Sequence, residues 1–347
     1  MDLDAAKIKI IEFAKEIGFD LVRVSSPQVS QRNYTVYKSW IDKGEHAEME
    51  YLSNTAEKRL DTEAVLPGTK SVLCLVMNYF QDETRNKKPH EGWVSRYAIA
   101  RDYHKVIRSR LKKISAFISA EFDAETRYYV DTGPVLERAF AEQSGIGYIG
   151  KNSCIITNRF GSWVFLAEIL TTLALQPDQN LLKLRCGTCR RCVDACPTHA
   201  INENNTIDSR KCISYLTIEN RNSIPVEYRE KIGSWLFGCD ICQEVCPHNS
   251  RQIPAKLDEF NQIRIGNRVL PLEKILTIET DEAFLETFAG TPLMRAKRRG
   301  LLRNACVVAG NSGQKDFIPL LYRIAEKEED MLQEHALWAI DKLRGNG

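Results

Sequence analysis

The stretch "CGTCRRCVDACP", Cys186–Pro197, sets four cysteines at gaps of two, two and three residues and closes on proline. A second stretch, "CDICQEVCP", Cys239–Pro247, repeats the pattern with one cysteine fewer. A four-iron cluster is held by four thiolates. In a C-x2-C-x2-C-x3-C-P run the first three bind one cluster and the fourth crosses to the other. The spacing therefore predicts a first cluster on Cys186, Cys189 and Cys192, completed by Cys246 of the later stretch. The second takes Cys196, Cys239 and Cys242, and Cys212 in "SRKCISYL" is the cysteine left in the region to complete it. Two sites close with no cysteine of the region left over. Zinc is the competing occupant, because paired C-x2-C units also make four-cysteine zinc sites. Zinc, however, requires neither the tight run of three nor two trailing Cys-Pro pairs. Cys74, Cys154 and Cys306 lie in apolar runs and read as core residues.

The rest of the composition narrows the class. A chain of 347 residues suggests two or three domains, and 43% apolar residues suffice for real cores. A net charge of +2 gives no global pull toward nucleic acid or membrane, so any basic patch is local. No apolar run approaches the ~18 residues of a spanning helix. The start, "MDLDAAKIKI", does not read as a signal peptide. The expectation is a cytoplasmic protein, in whose reducing surroundings eleven cysteines mean metal or catalysis rather than disulfides.

Periodicity predicts an α+β fold. Residues 3–17 read as a helix stopped by Gly18, "DLVRVS" as a short strand and 32–43 as a second helix. "SVLCLVMNYF" and "SWVFLAEILTTL" read as buried strands, and 102–122 as a long amphipathic helix. "TRYYVD" reads as a strand ending at Asp131, and "GPVLERAFAEQSG" as a helix with Pro134 in its first turn. The expected domains are a mixed α/β unit over 1–175, a ferredoxin-like two-cluster module over 176–250, a linker over 251–280 and a helical tail over 281–347. A hairpin-like piece is expected around "IRIGNRVLPL". The tail predicts HEAT-like helix pairs, too few to stand alone and so packed on the rest. An electron carrier needs only the central segment, so the long α/β unit before it favours an enzyme with its own electron wire.

The segments "VSRYAIARDYHKVIR", "DTGPVLERAFAEQSGIGYIGKN", "GSWVFLAEI", "CGTCRRCVDACPTHAI", "RKCISYLTIE" and "GCDICQEVCP" follow in this order. In sequence and spacing the chain resembles the epoxyqueuosine reductases. The resemblance implies a cobalamin-dependent enzyme that reduces epoxyqueuosine to queuosine at the wobble position of a tRNA anticodon. It implies base-off cobalamin with no protein ligand to cobalt, fed by the two four-iron clusters and an external low-potential electron donor. Asp131 is the implied proton donor; by the residues alone, it would as readily cap the helix led by Pro134. Arg59, Ser95, Tyr97, Asn152, Ile155 and Asp240 fall at positions implied to line the corrin. "DYHKVI" starts like the D-x-H-x-x-G signature of cobalt-ligating histidines, but Ile107 replaces its glycine. His104 is therefore expected as a pocket or supporting residue rather than the lower ligand. Arg138 is expected to reach a phosphate. Arg295, Lys297, Arg298, Arg299 and Arg303 put five positive charges in nine residues, suited to phosphate contacts on tRNA. The expected state is a monomer with no membrane contact. The alternatives are a reductive dehalogenase-like enzyme for small molecules, a two-cluster electron-transfer protein and a zinc-bearing RNA-binding module.

Overall fold

A computed structural model describes residues 2–83, 88–179, 185–250 and 252–345. Residues 180–184, at the expected start of the cluster module, and Arg251, where the linker was expected to begin, lie outside the described residues.

The strand Ser71–Asn78 is buried along its whole length because sheet neighbours and helices cover it on every side. It pairs antiparallel with Leu21–Ser25 and with Val164–Thr171, and Thr126–Tyr129 pairs with the far side of the latter. Side chains alternate across the sheet. Leu73, Leu75 and Met77 join Phe165, Ala167 and Ile169 in a core with Ile10 of the helix Leu3–Glu16. Val106, Ile107, Leu111, Ile114 and Ile118 of the helix Tyr103–Phe122 fill the same core at three- and four-residue spacing. Val72, Cys74 and Val76 face the other way, against Phe140 and Ala141 of the helix Glu137–Gln143.

Two expectations are corrected. The helix expected from Pro134 starts at Glu137, with Leu136 at its N-cap and no side-chain cap bond. Asp131 has φ of +59°, so the chain leaves the strand in a loop rather than entering a helix directly. The hairpin expected around 263–272 is absent among the described residues. Asn267 and Arg268, with φ of 53° and 57°, turn the chain instead. Val269–Pro271 then pairs antiparallel with Glu91–Val94, which runs parallel to Trp235–Phe237. This second sheet joins the first domain, the cysteine-rich segment and the expected linker.

The tail helices Asp281–Phe288, Lys297–Ser312, Ile318–Lys327 and Asp330–Arg344 share one core with that sheet and with Ile213, Ile218 and Ile224. Arg303 makes the join specific. Expected on a phosphate-binding face, it is fully buried and donates to the carbonyls of Leu216, Asn220 and Asn222. It thereby satisfies carbonyls at the end of the helix Ile213–Ile218, which that helix cannot pair itself. Asn304 adds bonds to the carbonyls of Thr217 and Leu236. Arg303→Met should lower stability by about 3 kcal/mol, since three buried carbonyls lose a charged donor. A chemical-denaturation midpoint equal to wild type would show that the tail is held by apolar packing alone.

Candidate active site

The helix Tyr103–Phe122 starts with Asp102 as its N-cap, and this cap organises the site. Asp102 Oδ1 accepts from the His104 backbone N–H at 3.0 Å and lies 2.8 Å from His104 Nδ1. The imidazole is thereby turned so that Nε2 lies 3.3 Å from Asp131 Oδ2. The Tyr103 hydroxyl donates to the same Asp131 oxygen at 2.7 Å. The Asp131 side chain is 59% exposed, at the open end of a recess ringed by protein. Burial in the recess pushes its pKa up, but the bonds from His104 and Tyr103 and the His104 charge outweigh that and hold it below the ordinary value. For His104 burial opposes the charge, while hydrogen bonds to Asp102 and Asp131 push the imidazole up to about 9. One proton thus sits on His104 beside an anionic Asp131 at neutral pH. Asp131 does not cap the following helix.

The remaining expected residues fall around this pair. Tyr97 packs edge-on to Tyr103, with ring centroids 6.1 Å apart. Its phenol is pushed well up, by burial first and then by Asp131 and Asp240. Ser95 is fully buried with an unpaired hydroxyl, and it touches Gly238, where any side chain would collide with Ser95 Oγ. Asp240 is buried, accepts from the Arg96 backbone N–H at 2.8 Å and pairs with buried Arg268, which also bonds Glu244 at 3.0 Å. Arg59 is buried and donates to the Val135 carbonyl at 3.0 Å, so it pins the loop that carries Asp131. Asn152 is buried and reaches the Cys242 carbonyl at 3.4 Å, while Ile155 sits in the apolar core beneath. Arg138 is tied to the carbonyl and hydroxyl of Ser153 at 2.7 and 2.8 Å.

The tail reaches the same recess. Arg295 binds Glu219 through two bonds of 2.7 Å and lies 5.9 Å from the Tyr51 ring. Its charge is also felt by Asp131. Arg298 corrects the picture of a freely solvated patch. It is 15% exposed, binds Glu328 at 2.7 and 2.9 Å, and donates to the Ile278 carbonyl. Arg299 pairs with Glu329 and stays half exposed, and Lys297 is exposed.

The structure brings four of the eight expected cysteines to one cavity. Cys186, Cys189, Cys192 and Cys246 line one cavity with Asn152, Ile156 and His248. The Cys246 thiol is pushed up by burial and then by Cys186 and Cys189. In the other expected set, burial again acts first on Cys239, and Cys212 and Cys196 push it further up. Cys242 in turn feels Cys239 and Cys212. Backbone N–H groups of Lys151 and Ala200 lie 3.4 Å from the sulfurs of Cys186 and Cys196. Such bonds to sulfur tune cluster potentials. Cys154 is corrected from core to neighbour of both sets: its thiol is pushed up to about 12 by burial, and Cys246, Cys212 and Cys192 add to that. Sequence reasoning missed Asp102, Tyr103, Arg268 and Glu219. A helix N-cap two residues before a histidine was the one local signal among them.

Seven cysteines in two spaced runs, Cys212 between them and a histidine–carboxylate pair are the features of an iron–sulfur oxidoreductase. Residues 185–249 match the family model "4Fe-4S double cluster binding domain", and 59–132 match "Epoxyqueuosine reductase QueG, DUF1730". The chain is 37% identical over 339 residues to the epoxyqueuosine reductase of Pseudomonas aeruginosa, covering 95% of this chain and 92% of that one. It is 36% identical over 349 residues to the Escherichia coli K12 enzyme, covering 98% and 90%. A crystal structure of epoxyqueuosine reductase with a tRNA-Tyr epoxyqueuosine-modified stem loop superposes with a TM-score of 0.90 at 29% identity, over 99% of this chain and 91% of that one. The chain belongs to the epoxyqueuosine reductase family.

Ligand choice around the second set is testable. Cys212→Ala should lower iron from about eight to about four per chain, while Cys154→Ser should keep about eight. Iron and sulfide analysis of anaerobically purified protein reads both, and the reverse result would make Cys154 the ligand.

Proposed function

We propose that this protein reduces epoxyqueuosine in a tRNA anticodon to queuosine, with Asp131 and His104 supplying the proton. The observation that carries the reading is that pair, at the open end of a recess whose wall, Tyr97, runs to Asp240 beside Cys239. The net reaction takes two electrons and two protons, turns the epoxide into an alkene and releases water. Cys186, Cys189, Cys192 and Cys246 hold one four-iron cluster, and Cys196, Cys212, Cys239 and Cys242 hold the other. An external low-potential donor feeds the first, whose Cys246 lines an open hollow with Arg191, Pro247 and Ser250.

The recess suits base-off cobalamin. Both His104 nitrogens face carboxylates, so this imidazole is not free to ligate cobalt. The buried Ser95 hydroxyl lacks a partner that a polar cofactor edge would provide. Ser95, Tyr97, Asn152 and Ile155 would hold the corrin, and Arg59 and Asp240 act through the loops they pin. When bound, the cofactor supplies low-potential electrons to the substrate carbon. The chain's own residues manage the proton: His104 stores it, Tyr103 orients Asp131 Oδ2, and Asp131 passes it to the epoxide oxygen as the C–O bond breaks.

The α/β domain over 1–175 carries the cofactor, 176–250 the clusters, and the tail, HEAT-like in its helix pairs, steadies the tRNA. On that tail Arg295, Lys297 and Arg299 meet phosphates; Arg298 mainly holds its helix to Glu328, and Arg138 holds Ser153. Wobble-base recognition follows when the nucleotide is splayed into the recess. A reductive dehalogenase-like activity and a plain electron carrier are disfavoured by membership of the epoxyqueuosine reductase family. A Bacillus subtilis enzyme structure with its catalytic aspartate loop swung out of the active site supports a mobile role for the loop of Asp131.

Replacing Lys297 and Arg299 by Ala should reduce the slope of log affinity for tRNA against log salt by roughly one per lost phosphate contact. An unchanged slope would remove the tail from the tRNA interface. In anaerobic protein supplied with cobalamin and an epoxyqueuosine stem loop, Asp131→Asn should lower turnover by about 10²–10⁴-fold. Stem-loop binding should survive. Because His104 stays protonated below about 9, wild-type activity should fall as pH rises through that value. In His104→Gln the proton must sit on Asp131 alone, and the fall should move toward the ordinary carboxyl range near about pH 4. Full turnover by Asp131→Asn would overturn the assignment.

A further inference from the structure

Beneath Asp131 lie two carboxyl groups that the mechanism does not use. Glu168 is fully buried in the middle of the strand Val164–Thr171, in register with Cys74 on one neighbouring strand and Tyr129 on the other. Its side of the sheet is the apolar face of Val72, Val76 and Leu170. Neither of its carboxyl oxygens has a hydrogen-bond donor among the described residues. The side chain it meets is Glu137, from the first turn of the helix Glu137–Gln143, within hydrogen-bonding reach. Glu137 Oε1 in turn accepts the Asp131 backbone N–H at 2.5 Å.

Two carboxyl groups in contact, Glu168 fully buried and Glu137 half-buried, with neither in an ion pair among the described residues, do not both stay ionised. The charges facing them are each other, Asp131 and the guanidinium of Arg138, whose bonds go to Ser153. Cys74 also faces Glu168, as a neutral thiol pushed well up by burial and by Glu168. Geometry tells which carboxyl keeps the proton. Glu137 already accepts an N–H, which favours its charged form. Glu168 has nothing else to accept from, so it is the acid and donates to Glu137. Burial, then the neighbouring carboxylates, push both upward, Glu137 to about 8.

The loop above needs such an anchor. Asp131 sits at φ +59°, and the Thr132 N–H bonds the Val130 carbonyl at 2.6 Å across it, a tight turn with a strained centre. Gly133 packs so closely on the Tyr129 ring that a methyl group there would overlap it.

We propose that Glu168 and Glu137 share one buried proton and that this acid–carboxylate pair is a positioning device, holding the Asp131 turn in place through the Asp131 N–H. Loss of the proton puts three carboxylates into one recess, and the exposed loop is the part free to leave. The functional weight of this inference rests on Asp131 being the proton donor, but its physical content does not.

The test uses the cluster-loaded protein without turnover, so the two ideas fail separately. Wild type should show an infrared carboxylic-acid C=O band at neutral pH that disappears on raising the pH, and Glu168→Gln should lack it. Glutamine can still donate to Glu137, so Glu168→Gln should keep the Asp131 amide protected from hydrogen exchange at neutral pH. Glu137→Leu should lose that protection by roughly tenfold or more while the central strand stays protected. In turnover, Glu137→Leu should lower kcat by roughly tenfold or more with KM for the stem loop little changed, and Glu137→Gln should restore most of it. A wild-type spectrum without the acid band, or Asp131 protection indifferent to Glu137→Leu, would overturn the proposal. Should Asp131→Asn turn over normally while band and protection persist, the donor assignment fails and the anchor stands.

Discussion

One carboxylate, Asp102, does two jobs that are usually separate. It caps the helix Tyr103–Phe122, a contribution of about 1 kcal/mol for such a cap. The same oxygen fixes the His104 ring. Because the helix is seated by Val106, Ile107 and Leu111 in the main core, the ring cannot shift without disturbing that core. The orientation of the acid–base pair is therefore inherited from helix packing. Tyr103, one residue earlier, gains its bond to Asp131 from the same start point.

The second constraint is how distant segments converge. Asp240 links the cysteine-rich loop to the "SRYA" segment through the Arg96 N–H, and Arg268 secures Asp240 from the far side. A buried ion pair of this kind adds little net stability, because desolvation offsets most of the attraction. Its effect is to fix position, and the position fixed is that of Cys239 relative to Tyr97. Arg303 plays the corresponding part for the tail by closing the open carbonyls after Cys212. The thiol sets, the acid recess and the tail are thus held by polar contacts across otherwise apolar joins.

How far the sequence could be read follows from the range of each interaction. Cysteine spacing is local, so the double-cluster domain over 185–249 was legible. The buried strand at 71–78 and the helix at 103–122 were legible because period two and period 3.6 are local as well. Asp131 was legible only through its long motif. Its partners were not: Asp102 and His104 lie nearly thirty residues before it, and nothing in their own neighbourhood says which way they face. Glu168 read as one polar residue in a strand. At Arg298 and Arg303 the basic run misled because charge spacing looks the same whether a guanidinium faces solvent, Glu328 or a row of carbonyls. Pro134 misled because a strained turn at Asp131 delays the helix by a turn.

In the proposed reaction electrons and the proton come from different residues of the fold. Cys239 lies between Gly238 and Asp240 in the chain and feels the Asp240 charge, whereas His104 and Asp131 belong to the first sheet and its helix. Tyr97 feels both Asp131 and Asp240, and its phenol, pushed well up by burial first, stays neutral. A neutral phenol adds no charge of its own between them, and its raised pKa means that it keeps its hydroxyl proton. An enzyme that must deliver a proton to oxygen, and not to a strongly reducing centre, gains from this arrangement. The pair nearest the open end holds the proton, and the phenol that feels both carboxylates does not titrate at neutral pH.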